Sequence, residues 1–238
     1  MCVCQKTQSN TGRGGGVEKA PPSVFMIKIC SQLKIENQRG VFSPKKLWKL
    51  GQKITVGFLD GTIEDWERVV RIAKEWEACG NFSFVEELPE KSVVRVSFEG
   101  VGSWSFVGTD ALSIRTGPTI NFGWLAGETS EFEWRRVVLH EFGHVLGLEH
   151  EHKHSSYSFL NKQKAIEFLR KQGWDNEKIS QNLFDIEGLE ETRFDIDSVM
   201  LYRFGDGEGV DNISEGDCLT VGKMYPNLKD FGRSKIAY

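Results

Sequence analysis

The sequence predicts an α+β fold in which strands come first and helices later. Three observations carry this expectation. Runs rich in β-branched and aromatic residues are confined to residues 53–124. Two long helical patterns, at 62–78 and 131–146, accompany them, and from residue 161 onward only helical periodicity remains.

Taken in order, Lys53 to Leu59 (KITVGFL) reads as a strand, and Asp60-Gly61 supplies a turn. From Thr62 to Ala78, Trp66, Val69, Val70, Ala73 and Trp76 recur at three- and four-residue steps, which places them on one helix face aimed at a sheet. FSFVEE at 82–87 and VVRVSF at 93–98, separated by Leu88-Pro89, are expected to be adjacent strands, followed by a loop at 100–109 (GVGSWSFVGT) and a short strand at 119–124 (TINFGW). Ser130 and Glu133 have the spacing of a capping box opening a helix over 131–146. Further helices are expected at 161–172 and 175–184, broken at Gly173, and over 214–225, closed by Pro226. No internal repeat is present.

Composition narrows the function classes. With 238 residues and 39% hydrophobic content, the chain can build one real core. Net charge is -4, so no global positive field draws the chain to phosphates, and nucleic acid is not an expected partner. No apolar run approaches the roughly 18 residues of a membrane helix, and VFMIKIC at 24–30 is short and carries a lysine. A membrane is therefore not an expected partner either, and the chain reads as a monomer. Residues 1–23 are polar and end in Gly14-Gly15-Gly16 and Pro21-Pro22, too little apolar surface to fold alone. The expected organisation is an N-terminal tail at 1–44, low-complexity or pro-segment-like, one domain at 45–230 and a C-terminal tail at 231–238. Cys2, Cys4, Cys30, Cys79 and Cys218 are odd in number and scattered, and are read as mostly free thiols. As written, the chain reads as cytoplasmic, or as secreted if its true start is missing.

All five histidines lie between 140 and 154, in HEFGHVLGLEHEHKH. On a helix, His140 and His144 are one turn apart, so both imidazoles project from one face and can bind one metal. Glu141 is rotated about 100° from His140, within reach of a metal-bound water without being a ligand, which is the position a general base needs. Gly147 can end the helix in a left-handed turn and return the chain so that His150 becomes the third ligand. Three protein ligands leave a fourth position for water, whose pKa zinc lowers to about 7. His152 and His154 lie beyond the third ligand in a polar stretch and are expected to be solvated.

These residues resemble a known signature. HEFGHVLGLEH is similar to the zinc motif of the metzincin metallopeptidases, and DSVMLY at 197–202 resembles their Met-turn. Glu151 directly after the third histidine and Tyr202 two residues after the methionine look like the astacin branch, and the overall pattern is closer to microbial or fungal astacin-like metallopeptidases than to the animal enzymes. The resemblance implies Zn2+ as cofactor, a peptide or protein substrate, Met200 as an apolar floor beneath the metal, and Tyr202 as a switchable fifth ligand or oxyanion donor. It also implies a twisted mixed sheet with two long helices in an N-terminal subdomain, a mostly helical C-terminal subdomain, and a cleft between them. The GSWSFVGT stretch at 102–109 would then correspond to the edge strand on which an extended substrate pairs. Glu151 would pair with a freed N-terminal amine in a processed enzyme. Cys218 precedes the final helix rather than following it, so a Cys79–Cys218 bond is not expected.

The function expected on these grounds is endopeptidase chemistry by a metal-activated water with Glu141 as base. A catalytically weak zinc-containing peptide-binding protein and a zinc amidohydrolase acting on small amides are the rival readings. Intact Glu141 weighs against the first, since structural zinc needs four closed ligands and no adjacent base.

Overall fold

The computed structural model describes residues 2–5, 29–32, 42 and 44–227, apart from 158, 172, 185–189 and 205–208. Of the tails expected at 1–44 and 231–238, residues 1, 6–28, 33–41, 43 and 231–238 lie outside the described residues. Two short strands of the N-terminal segment, β1 (Cys2–Gln5) and β2 (Ile29–Gln32), pair antiparallel. Phe42 is buried and bridges Leu148 and Glu190.

Five further strands and five helices among the described residues make up the α+β architecture. The strands are β3 (Gln52–Phe58), β4 (Phe82–Glu86), β5 (Val94–Ser97), β6 (Ser103–Ser105) and β7 (Ile120–Phe122). They form a mixed sheet in the order β4-β3-β5-β7-β6, parallel except for the antiparallel edge strand β6. The expectation that 82–87 and 93–98 are neighbours is corrected, because β3 lies between them and pairs with both. Strand order is set by crossovers: α1 (Ile63–Ala73) carries the chain from β3 to β4 on one side, and the Leu88 to Ser92 connection returns it to the other. The expected 100–109 loop contains β6.

Asp60 closes the top of the sheet. Its carboxylate accepts from the Phe98 amide at 2.6 Å and from Ser97 Oγ at 2.6 Å. Gly61 follows at φ 90°, where a Cβ would run into the Phe98 ring. Thr62 then caps α1 through a full capping box with Asp65, and the predicted face buries Val69, Val70, Ala73 and Trp76, with Trp66 half-buried over Phe58.

Helix α2 (Glu131–Val145) is buried on all sides over its C-terminal half. Only half of its expected capping box forms. Ser130 accepts from the Glu133 amide, but the Glu133 carboxylate is occupied by Trp124 Nε1 at 3.0 Å and by the Arg136 guanidinium. Phe142 packs edge-on against Phe84, tying α2 to the sheet.

The C-terminal part is helical, as expected: α3 (Phe159–Lys171), α4 (Asn176–Leu183) and α5 (Glu215–Met224), with Gly173 at φ 80° between the first two. A disulfide joins Cys79 to Cys218, with Cα atoms 4.8 Å apart, which corrects the free-thiol reading of these two residues. Cys218 lies inside the first turn of α5, and that helix packs back on the turn after α1, so close that a Cβ on Gly222 would touch the Cys79 carbonyl at 3.3 Å. Position along the sequence relative to the helix end is the wrong criterion; the face of α5 decides the pairing.

Candidate metal centre

The helix carrying the histidines must end abruptly to return the chain. Its last carbonyls are answered locally. Phe142 O accepts from Leu146 N, Gly143 O from Leu148 N and His144 O from Gly147 N, with Gly147 at φ 101°. Trp48 Nε1 then donates to Val145 O at 2.7 Å, and Tyr225 Oη to Leu146 O at 2.5 Å. With these carbonyls taken, the helix stops and the chain swings back to His150.

The returned segment completes a histidine triad. His140, His144 and His150 are all buried, and one ligand atom from each lies within 4.8 Å of the others. His140 Nδ1 donates to Val199 O at 2.8 Å, and His144 Nδ1 donates to Leu148 O at 2.7 Å. Each bond fixes the tautomer and leaves Nε2 as a lone-pair donor. Burial first, and then neighbouring charges, holds His140 and His150 well below the usual imidazole range; burial pushes His144 down to about 3. All three imidazoles are therefore neutral at physiological pH, the form a metal requires. His144 Nε2 is buried and has no hydrogen-bond partner. Such an atom is costly unless something accepts its lone pair, so the donor set fits a divalent ion of the zinc type.

The remaining predicted residues surround the triad. Glu141 is buried on α2 beside His140. Tyr202 Oη lies 3.1 Å from His140 Nε2. Met200 is buried against Gly143, with its sulfur so near that a Cβ on that glycine would clash with it. Glu151 is buried, donates its amide to Met200 O at 3.1 Å and accepts from the Asp195 amide at 2.8 Å; burial pushes its carboxyl up to about 7.

His152 and His154 are buried, which corrects the expectation of solvated side chains. The short turn Glu151–Lys153 folds them inward. His152 stacks on His150 at 4.8 Å and meets Phe204 edge-on. His154 Nε2 donates to Thr192 O at 2.7 Å and its Nδ1 accepts from Ser156 N at 3.0 Å. Phe204 and Thr192 come from a distant part of the chain, so a local polar stretch gives no sign of them.

The sequence reading also misses Ser198 and Asp217, which hold the Met200 turn. Asp217 accepts from Ser198 Oγ at 2.5 Å and from Val199 N at 2.9 Å. The Ser214/Asp217 spacing of a capping box could have marked Asp217 as a cap. Nothing local could have shown its reach to residues 198–199.

A family model for the astacin peptidases matches residues 41–215. The chain belongs to the astacin family. Astacin-family proteins are zinc metalloendopeptidases, and the chain falls in that enzyme class. Among solved structures, myroilysin is 32% identical, with a TM-score of 0.68 over 78% of this chain and 98% of that one. A second myroilysin crystal structure is 30% identical, with a TM-score of 0.62 over 79% and 90%. High choriolytic enzyme 1, a hatching enzyme zinc-protease from the medaka fish Oryzias latipes, shares the fold at 17% identity, with a TM-score of 0.51 over 79% of this chain and 98% of that one. The astacin-like, metzincin fold expected from HEFGHVLGLEH and DSVMLY is thus the fold observed.

Proposed function

We propose that the chain is a zinc-dependent endopeptidase in which His140, His144 and His150 hold Zn2+, Glu141 is the general base and Tyr202 assists at the oxyanion. The observation that carries this reading is the convergence of three buried, neutral imidazoles, two of them with Nδ1 committed to backbone carbonyls, in an astacin-family chain.

Bound zinc supplies a water that ionises near neutral pH and a Lewis acid for the scissile carbonyl. The chain's own groups do the rest. Glu141 accepts the proton of the attacking water and returns it to the leaving amine, the two proton transfers that peptide hydrolysis needs. Glu141 is buried next to His140 on α2, which supports its reading as the base. Tyr202, 3.1 Å from a ligand nitrogen, can place its hydroxyl on the oxygen that gains charge. Met200 and Gly147 support the geometry, the first as a floor and the second as the turn that delivers His150. Strand β6, at the edge of the sheet, is the element on which an extended peptide substrate pairs.

Glu141→Gln tests the assignment of the base. The variant should bind zinc and fold as wild type but lose about 10²–10⁴-fold in kcat, because an amide cannot accept the proton. Wild-type turnover on denatured casein, with zinc retained, would remove Glu141 from that role.

A further inference from the structure

We propose that Asp217 and Ser198 are positioning residues for His140, acting through a hydrogen-bond relay that strengthens its hold on the metal; the proposal rests on the zinc reading above. The relay runs through four groups. Asp217 Oδ1 accepts from Ser198 Oγ at 2.5 Å. Ser198 Oγ in turn accepts from Met200 N at 3.0 Å. The carbonyl of that same Val199–Met200 peptide accepts from His140 Nδ1 at 2.8 Å. The two intermediate groups, the Val199–Met200 amide and the Ser198 hydroxyl, each accept one bond and donate the next, so the bonds point the same way and polarise one another. A carboxylate at one end is thereby coupled to an imidazole at the other.

The physical effect is that of a carboxylate paired with a metal-ligating histidine, delivered at a distance. Negative charge on Asp217 draws the Ser198 proton, which makes Ser198 Oγ a better acceptor for the Met200 amide. That amide then places more negative charge on its own oxygen, and the Val199 carbonyl binds the His140 Nδ1 proton more strongly. The imidazole becomes more basic at Nε2, the atom that faces the metal. His144 donates only to an ordinary carbonyl, Leu148 O.

The network is also anchored against movement. Asp217 Oδ2 accepts from Val199 N at 2.9 Å and from Ser214 N at 3.1 Å, so one carboxylate pins both the Met200 turn and the start of α5. Asp217, Ser198, Met200 and His140 are all buried. Asp217 thus has two separable tasks. Capping α5 uses Ser214, and aligning His140 uses Ser198.

The test is the zinc dissociation constant of the full chain, measured by competition with a chromophoric chelator, beside thermal unfolding of each variant. Ser198→Ala breaks the relay and leaves the α5 cap intact; it should weaken zinc binding about 10–100-fold. Ser198→Thr keeps the hydroxyl and should restore most of the affinity. Ser214→Ala removes the cap and not the relay, so it should lower stability while leaving zinc affinity unchanged. Asp217→Asn keeps an oxygen acceptor without the charge, and should weaken zinc binding in the same direction even if Ser198→Ala folds poorly. Wild-type zinc affinity in Ser198→Ala and Asp217→Asn, or an equal loss in Ser214→Ala, would overturn the relay alone. A wild-type chain that binds no zinc would overturn the metalloprotease reading as well.

Discussion

The Tyr202 hydroxyl lies 3.1 Å from Nε2 of His140, and because His140 gives its Nδ1 proton to Val199 O, the tyrosine is the donor in that contact. In the proposed enzyme, zinc would take the Nε2 lone pair, and the hydroxyl would then be free to donate to the oxygen that gains charge. Tyr202→Phe removes only this hydroxyl. Zinc content should be unchanged, and kcat and kcat/KM should fall together by about 10²–10³-fold with little change in KM. Full specific activity in the folded variant would leave Tyr202 as a packing residue.

Gly143 separates two opposing effects. Helix propensity alone predicts that Gly143→Ala stabilises α2 by about 1 kcal/mol. The added Cβ, however, would meet Met200 Sδ in a fully buried site, and overpacking typically costs about 1–3 kcal/mol. Gly143→Ala should therefore destabilise the native chain, yet become neutral or stabilising in a Met200→Ala background, where the obstacle is gone. Chemical denaturation of the four members of this cycle checks the sign. Stabilisation by Gly143→Ala in both backgrounds would mean that Met200 does not press on the helix.

The Cys79–Cys218 bond joins residues 139 apart in sequence. Cross-links over long loops restrict the unfolded chain most, and removing such a bond commonly costs about 2–5 kcal/mol. Cys218→Ser should lower the unfolding free energy by that amount, and reductant should lower the denaturation midpoint of the wild type but not of the variant. Equal midpoints for the wild type with and without reductant would contradict a structural role.

What can be read from the sequence is what local periodicity controls. His140 and His144 share a face because the helical repeat puts them there, and Gly147 announces the turn that brings in His150. The helices at 62–78, 131–146 and 214–225 follow from apolar spacing and caps for the same reason. What cannot be read depends on contacts between distant segments. Strand β3 sits between β4 and β5 because the crossovers put it there, and no strand carries a mark of its neighbour. His154 is buried because Thr192 supplies a carbonyl, and Cys218 meets Cys79 because α5 folds back on the turn after α1. Asp217 shows both sides at once: its capping role is spelled by Ser214 three residues earlier, while its hold on Ser198 and Val199 exists only in the folded chain.

The metal offers the most direct test of a zinc peptidase. Native mass spectrometry of the purified chain, with cleavage of denatured casein followed in parallel, should show one zinc per molecule and proteolysis that a chelator abolishes and added zinc restores. His144→Ala, which removes a proposed ligand whose Nε2 lies buried without a partner, should lose both the ion and the activity. A folded wild-type chain with no zinc after zinc-supplemented purification, or casein cleavage that persists with the metal removed, would contradict the metalloprotease reading at its centre.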